Sequence, residues 1–276
     1  MRNLLQAGFA RLRKNFAFWL CMAASALWSG AIAVIQYRER LQYPASSGID
    51  NILWEFTPVV GLFCAVFVCL FIGVEHSDGT MRNKVSVGHT RADIYFSNLT
   101  VCVAADLLIM LAWVAVTFFL GVPLLGAPQM AVQEILIHLL LSALTVVSTT
   151  AILLLAAMLL TNKAASAVAC ILLALALLVA GSYVYGALQE PEIESGGLLV
   201  TENGTEWLDP QPNPRYLQGA KRTVYEALAL LLPAGQQIMI NDQNMAQPWA
   251  MALCSVLVTA LAAGVGFLIF RKKDLK

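Results

Sequence analysis

The sequence predicts an all-α polytopic membrane protein with six transmembrane helices. Hydrophobic residues make up 59% of the 276 residues, charged residues only 12%, and the mean hydropathy is +0.72. Soluble domains contain about 45–50% apolar and about 25% charged residues, so this chain has more apolar surface than one soluble core can bury. Six apolar stretches are each long enough to cross a bilayer core about 30 Å thick as a helix.

The predicted spans divide one transmembrane domain, residues 1–276, into six helices and their connections. The spans are residues 16–37, 54–74, 95–120, 135–160, 164–188 and 248–270. Basic residues precede the first span, as in a signal peptide, but its apolar run continues to Ile35. This run is longer than the apolar region of a signal peptide, about 7–15 residues, so we interpret it as a retained helix.

The distribution of Lys and Arg predicts the orientation. With the N-terminus inside, twelve of the 17 basic residues lie in inside segments and five in outside segments. Cytoplasmic loops carry the excess of basic residues in membrane proteins. Both termini and residues 75–94 are therefore predicted to be cytoplasmic, and residues 189–247 extracytoplasmic.

The cytoplasmic loop 75–94 is predicted to contain one short helix. Ser77 or Asp78 is expected to cap its first turn. Met81 and Val85 are four residues apart and share one face of such a helix.

Arg82 and Lys84 are predicted to lie away from that apolar face. A helix of two turns is too short to be stable alone, so it should dock against another surface. One interpretation is a docking helix for a partner protein, and the other is an ordinary basic loop. Thr90 and Asp93 then form a capping pattern before the third span.

The outside segment 189–247 has two parts. Residues 189–214 are acidic and rich in Pro and Gly, which predicts an irregular loop. Residues 223–232 form a helical apolar run that is too short to cross a membrane, which predicts a re-entrant or interfacial helix before the last span. It is interpreted either as an outer gate or as a cap on the bundle.

The sequence carries no motif of an enzyme. It has no phosphate-binding GxxxxGK[ST] loop, its three histidines are dispersed, and its six cysteines lie in apolar stretches. We therefore expect no catalytic residue, no metal site and no cofactor bound by this chain. Net charge is zero, so no nucleic acid partner is expected.

Asp106 is the only acidic residue well inside a predicted span. An Asp at the bilayer centre costs about 2.5–3.5 kcal/mol on insertion scales, so its side chain should face the bundle interior or water. A structural hydrogen bond to a hydroxyl of the fourth span is one interpretation, and a role in the translocation path is the other. The candidate hydroxyls are Thr145, Ser148, Thr149 and Thr150.

Three stretches resemble the permeases of type-2 ATP-binding-cassette (ABC) exporters. They are the loop beginning Glu75-His76-Ser77-Asp78-Gly79-Thr80-Met81-Arg82-Asn83-Lys84, the stretch from Gly219 to Gln236, and the ending Phe270-Arg271-Lys272-Lys273-Asp274. Six spans with both ends inside and a large last outside segment are similar to that family as well.

The resemblance implies a coupling element and an outer hairpin. Glu75, Gly79, Thr80, Arg82, Asn83 and Lys84 would form the coupling element. Pro233, Gly235 and Gln236 would belong to the re-entrant hairpin of the outer gate. The ATPase, with its ATP and Mg, would be a separate cytoplasmic subunit, and a second permease would pair with this chain in the bilayer.

The leading hypothesis is the membrane subunit of an ATP-driven exporter in a bacterial plasma membrane. The first alternative is an ion-coupled carrier or channel that uses Asp106. The second is a membrane sensor or immunity protein without transport activity. Peptide, lipid, drug and ion substrates all stay open, as do homodimeric and heterodimeric pairing.

Overall fold

The computed structural model is a polytopic bundle of α-helices with a small β-structure at one end. It describes residues 1–43, 48–194, 198–201, 204–207, 209–245 and 247–273, with the backbone alone for 198–201 and 204–207. Within these residues, six helical segments are long and apolar enough to cross a membrane.

The membrane-spanning helices have the following bounds. They are α2 (Phe16–Gln42), α4 (Thr57–Ser77, preceded by the short α3, Ile49–Leu53), α6 (Arg91–Leu125), α7 (Val132–Leu159), α8 (Lys163–Gln189) and α11 (Pro248–Lys272). The prediction of six apolar helices is confirmed. Several helices extend beyond the predicted spans, most of all α6, which starts four residues earlier and continues past Pro123.

The bundle is centred on α4 and α7, which are the two spans with the largest buried share. Helix α11 packs on α7, α8 packs on α4, and α2 packs on α6. Large side chains fill the centre because both helices are surrounded by others. Among the most buried are Trp54, Trp113, Phe67, Phe71 and Phe270.

The end of the bundle that we call the α5 end contains two short helices. Helix α1 (Arg2–Lys14) packs on α6, and α5 (Thr80–Ser86) connects α4 to α6. Helix α5 was predicted from the sequence, but α1 was not. Helix α1 is amphipathic, with Leu4 and Leu12 buried and Arg2, Arg13 and Lys14 exposed.

The opposite end, which we call the hairpin end, contains a helical hairpin. Helix α9 (Gly219–Leu231) is followed, after Leu232, by α10 (Pro233–Asn241). Helix α10 contacts α4, α7 and α8, so it enters the bundle instead of lying on its surface. The re-entrant or interfacial helix predicted over residues 223–232 corresponds to α9, whereas α10 begins at Pro233, in the hairpin that the family resemblance implied.

The prediction of an irregular loop for residues 189–214 is wrong. Strand β1 (Ile193–Glu194) pairs with β4 (Gln211–Pro212), and β2 (Leu198–Thr201) pairs with β3 (Gly204–Trp207), both antiparallel. Val200, Thr201, Thr205 and Trp207 favour strands, and this preference outweighs the surrounding Pro and Gly residues.

Candidate functional site

Four side chains meet at the α5 end, and we call them the Glu75 cluster: Arg11, Glu75, Lys84 and Asn98. Glu75 lies in the last turn of α4 and is only 2% exposed. Its Oε1 atom forms ion pairs with Arg11 of α1 and Lys84 of α5, and it accepts a hydrogen bond from Lys84. Its Oε2 atom accepts a hydrogen bond of 2.9 Å from the Asn98 amide of α6. One carboxylate therefore holds four helices together.

Arg11 makes a second contact in the cluster. Its guanidinium carbon lies 3.7 Å from the centroid of the Phe71 ring in α4, a cation–π geometry. Phe71 is fully buried, so this contact anchors α1 on the side of α4. Because breaking a buried ion pair leaves an unpaired charge, the position of α1 depends strongly on Glu75.

Helix α5 starts at a backbone position that requires glycine. Gly79 precedes it with a φ of 65°, in the left-handed region that side chains rarely adopt. No side chain caps this helix, so the predicted cap by Ser77 or Asp78 is wrong; Ser77 Oγ donates to Val74 O and to Asp78 instead. The turn at Gly79 directs α5 back across the end of α4.

Helix α5 has one face toward the bundle and one face away from it. Met81 is 2% exposed and lies on the bundle side, next to Asn98. Arg82 and Asn83 are exposed, and Val87, which follows the helix, is 80% exposed. Among the described residues, Arg82 forms no ion pair.

The placement of Lys84 corrects the sequence analysis. It was predicted on the polar side of α5 with Arg82, but its side chain is 17% exposed and turns inward to Glu75. The buried carboxylate is the reason, since it needs positive partners inside the bundle. Arg11 and Asn98 were missed because they are distant from Glu75 in the sequence.

The C-terminal end of α11 is fixed at the same end of the bundle. Arg91, the first residue of α6, donates to the carbonyl oxygens of Phe270 (3.0 Å) and Lys273. Lys273 donates to the carbonyl oxygen of Met158 at 2.9 Å. The predicted cap of α6 is confirmed, since Thr90 Oγ1 accepts a 3.1 Å hydrogen bond from the Asp93 amide.

The hairpin at the other end packs through polar side chains. Gln236 accepts a 2.8 Å hydrogen bond from Ser255 of α11 and donates to the carbonyl oxygen of Leu230. The side-chain amide of Gln237 donates to the Thr149 hydroxyl of α7 at 3.2 Å. The backbone carbonyl oxygen of Gln237 accepts from the Thr57 hydroxyl of α4 at 2.7 Å. Gln237, which the sequence analysis did not single out, thus connects α10 to two central helices.

Pro233 and Gly235 make the tight turn of the hairpin possible. Pro233 is the first residue of α10, where a missing amide hydrogen costs nothing. A Cβ atom at Gly235 would lie 2.6 Å from the carbonyl oxygen of Ala229 in α9. Only glycine allows the two helices to approach this closely.

Asp106 is fully buried between α6 and α7. Its Oδ2 atom accepts a 2.7 Å hydrogen bond from Thr150, one of the four hydroxyls predicted as its partner. The neighbouring Thr149 contacts Gln237 of the hairpin. Helix α7 therefore contacts α6 through Thr150 and α10 through the consecutive Thr149.

The chain matches the model of a known family. The model of a family described as ABC-2 family transporter protein matches residues 9–275, nearly the whole chain. No curated protein matches the chain. The matched range includes α5, the Glu75 cluster and the hairpin.

Proposed function

The chain belongs to the ABC-2 transporter family, and on this premise we propose that it is the membrane subunit of an ATP-driven exporter in a bacterial plasma membrane. As a multi-pass permease of an ABC transporter, it works with an ATP-binding subunit. In the proposal that subunit is a separate chain that binds ATP and Mg, and it docks on α5 from the cytoplasm. A second permease, identical or related, completes the translocation path.

The two faces of α5 are the observation that carries the proposal. A short helix is stable only when it is docked, and α5 is held on its inner side by Met81 and Lys84. Its outer side, with Arg82, Asn83 and Val87, has the exposed charge and apolar surface that a protein partner requires.

The Glu75 cluster supports a role in coupling as well as docking. Because Glu75 connects α5 to α1, α4 and α6, a displacement of α5 acts on all of these helices together. Rigid-body movement of packed helices is a common form of such transitions. Gly79 and Thr80 form the start of the moving element.

The hairpin completes the proposed path of motion. Movement of α6 reaches α7 through Asp106 and Thr150, and movement of α4 and α7 reaches α10 through Gln237. In this proposal, Pro233, Gly235 and Gln236 form the outer gate. Asp106 acts as a structural link within the path, since its partner is the hydroxyl of a neighbouring helix.

Expression of the chain with its genomic neighbours, followed by co-purification with an ATP-binding-cassette ATPase, tests the proposal. We expect both subunits to elute together from a tag on the permease. Arg82→Glu should weaken this association by about tenfold or more, because it reverses a charge at the contact. Lys272→Glu is the matched control, since Lys272 is an exposed basic residue outside α5. A well-folded permease that elutes without the ATPase would refute the proposal, and so would an Arg82→Glu variant that retains full association.

A further inference from the structure

An open groove runs between α2 and the beginning of α4. Its volume is about 900 Å³, which is within the range of ligand sites in proteins. One face of α2 forms its long wall over twelve residues, about 16 Å of helix. The wall residues are Ala24, Leu27, Trp28, Ala31, Ile32 and Ile35.

Two polar side chains lie at one end of this apolar wall. Glu55, just before α4, and Asn241, the last residue of α10, both line the groove. Glu55 is half-buried and forms no ion pair with the described residues. An acidic residue that is partly buried near a membrane without a partner indicates a functional site.

The side-chain amide of Asn241 has an acceptor without a partner. Its Nδ2 atom donates to Asp242 at 3.2 Å, and its Oδ1 atom is buried with no partner in the part of the chain that is described. A buried acceptor without a partner costs free energy, which a hydrogen-bond donor from a ligand would recover.

Among the described residues that line the groove, Glu55 is the only charged one. Beyond the wall, α2 continues with Arg38 and Glu39, which are both exposed and carry opposite charges. Arg40 donates to the carbonyl oxygen of Leu125. A ligand for this end must therefore bring a positive charge and more than one donor.

We propose that the groove binds an amphiphile whose apolar chain lies along α2 and whose primary ammonium or guanidinium head is held by Glu55 and Asn241. Trp28, 51% exposed, offers an aromatic face along the apolar part. The inference rests on the proposed function in one respect: such cationic amphiphiles would be the substrate class of the exporter.

Equilibrium dialysis of three dodecyl probes against the full chain in neutral lipid nanodiscs tests this site. The probes are dodecylammonium, dodecyltrimethylammonium and dodecanol, and empty nanodiscs give the partition into lipid. Dodecylammonium should bind above the partition level, because its head has a charge and several donors. The trimethylated head has the charge without donors, and dodecanol has no charge, so both should bind at least about tenfold more weakly.

Matched variants locate the binding. Glu55→Gln should weaken dodecylammonium binding by about tenfold or more, with helix content and elution volume unchanged. Glu192→Gln removes an equal charge from an exposed residue outside the groove and should leave binding unchanged. If Glu55→Gln fails to fold, Asn241→Ala replaces it and should likewise weaken dodecylammonium binding.

Three results would overturn the proposal. The first is equal binding of dodecylammonium and dodecanol, and the second is wild-type binding by folded Glu55→Gln and Asn241→Ala variants. The third is a Trp28→Ala variant that changes a dimer to a monomer and leaves amphiphile binding unchanged. This result would mean that a second copy of the chain occupies the groove and that the amphiphile does not bind there. The dialysis contains no ATPase, so its result does not depend on whether the chain associates with an ATPase. Loss of amphiphile binding and loss of ATPase association are therefore distinguished by separate experiments.

Discussion

Glu75→Gln keeps the shape of the side chain and removes the negative charge between Arg11 and Lys84. The variant can still accept a hydrogen bond from Asn98, but two cations lose their counter-charge. Breaking a buried ion pair costs about 3–5 kcal/mol. Arg11 and Lys84 retain 28% and 17% exposure, so solvent screens part of the loss. We therefore expect the free energy of unfolding to fall by about 3 kcal/mol, the lower end of that range.

Titration with sodium dodecyl sulfate in mixed micelles, followed by far-UV circular dichroism, measures this change. Glu226→Gln is the matched control because Glu226 forms an exposed pair with Arg222, 3.1 Å between Oε1 and Nε. The control should lose less than about 1 kcal/mol.

A double-mutant cycle identifies the cause of the loss. Arg11→Met in the Glu75→Gln background removes one of the unpaired cations, so the double variant should be more stable than the sum of the single changes. We expect a coupling free energy of about 1–3 kcal/mol. Additive losses, or a loss for Glu75→Gln that equals the control, would refute the buried cluster.

Three other positions test the hairpin and the interior of the bundle. Gly235→Ala should destabilise the protein by about 1–3 kcal/mol in the same titration, because the new methyl group meets the Ala229 carbonyl oxygen. Gly264→Ala has open space and should have little effect, so equal losses would contradict the tight turn. Asp106→Asn should retain ATP-driven transport in proteoliposomes, because Asn still accepts from Thr150; abolished transport with normal folding would favour the carrier hypothesis. Thr150→Val should cost about 1–3 kcal/mol in the same titration, because it leaves a buried acceptor without its donor, and unchanged stability would contradict this hydrogen bond.

Apolar length predicted the six spans because a helix must satisfy its backbone hydrogen bonds inside the bilayer. The ends were less accurate, since polar caps and short apolar extensions lie outside the hydropathy window. Thr90 sets the start of α6 at Arg91, four residues before the predicted span. Helix α1 was missed because its 13 residues are too few to cross a membrane and its stability comes from packing on α6.

The candidate site was predictable only in its local parts. Resemblance placed Glu75 and Lys84 in one element, but the contacts of Glu75 with Arg11 and Asn98 connect residues 64 and 23 positions apart along the chain. No local pattern specifies such contacts. Lys84 was assigned to the wrong face because helical spacing ignores a buried carboxylate. Gln237 was missed because its partners belong to α4 and α7, which are distant from it along the chain.

Photo-crosslinking from α5 tests whether the ATP-binding subunit docks on this helix. A benzophenone amino acid replaces Val87, which is 80% exposed beside α5, or Val132, which is 74% exposed at the start of α7 on the hairpin end. If the ATP-binding subunit docks on α5, we expect an adduct with it from position 87 and none from position 132. No adduct from position 87 in an assembled transporter, or equal adducts from both positions, would contradict it.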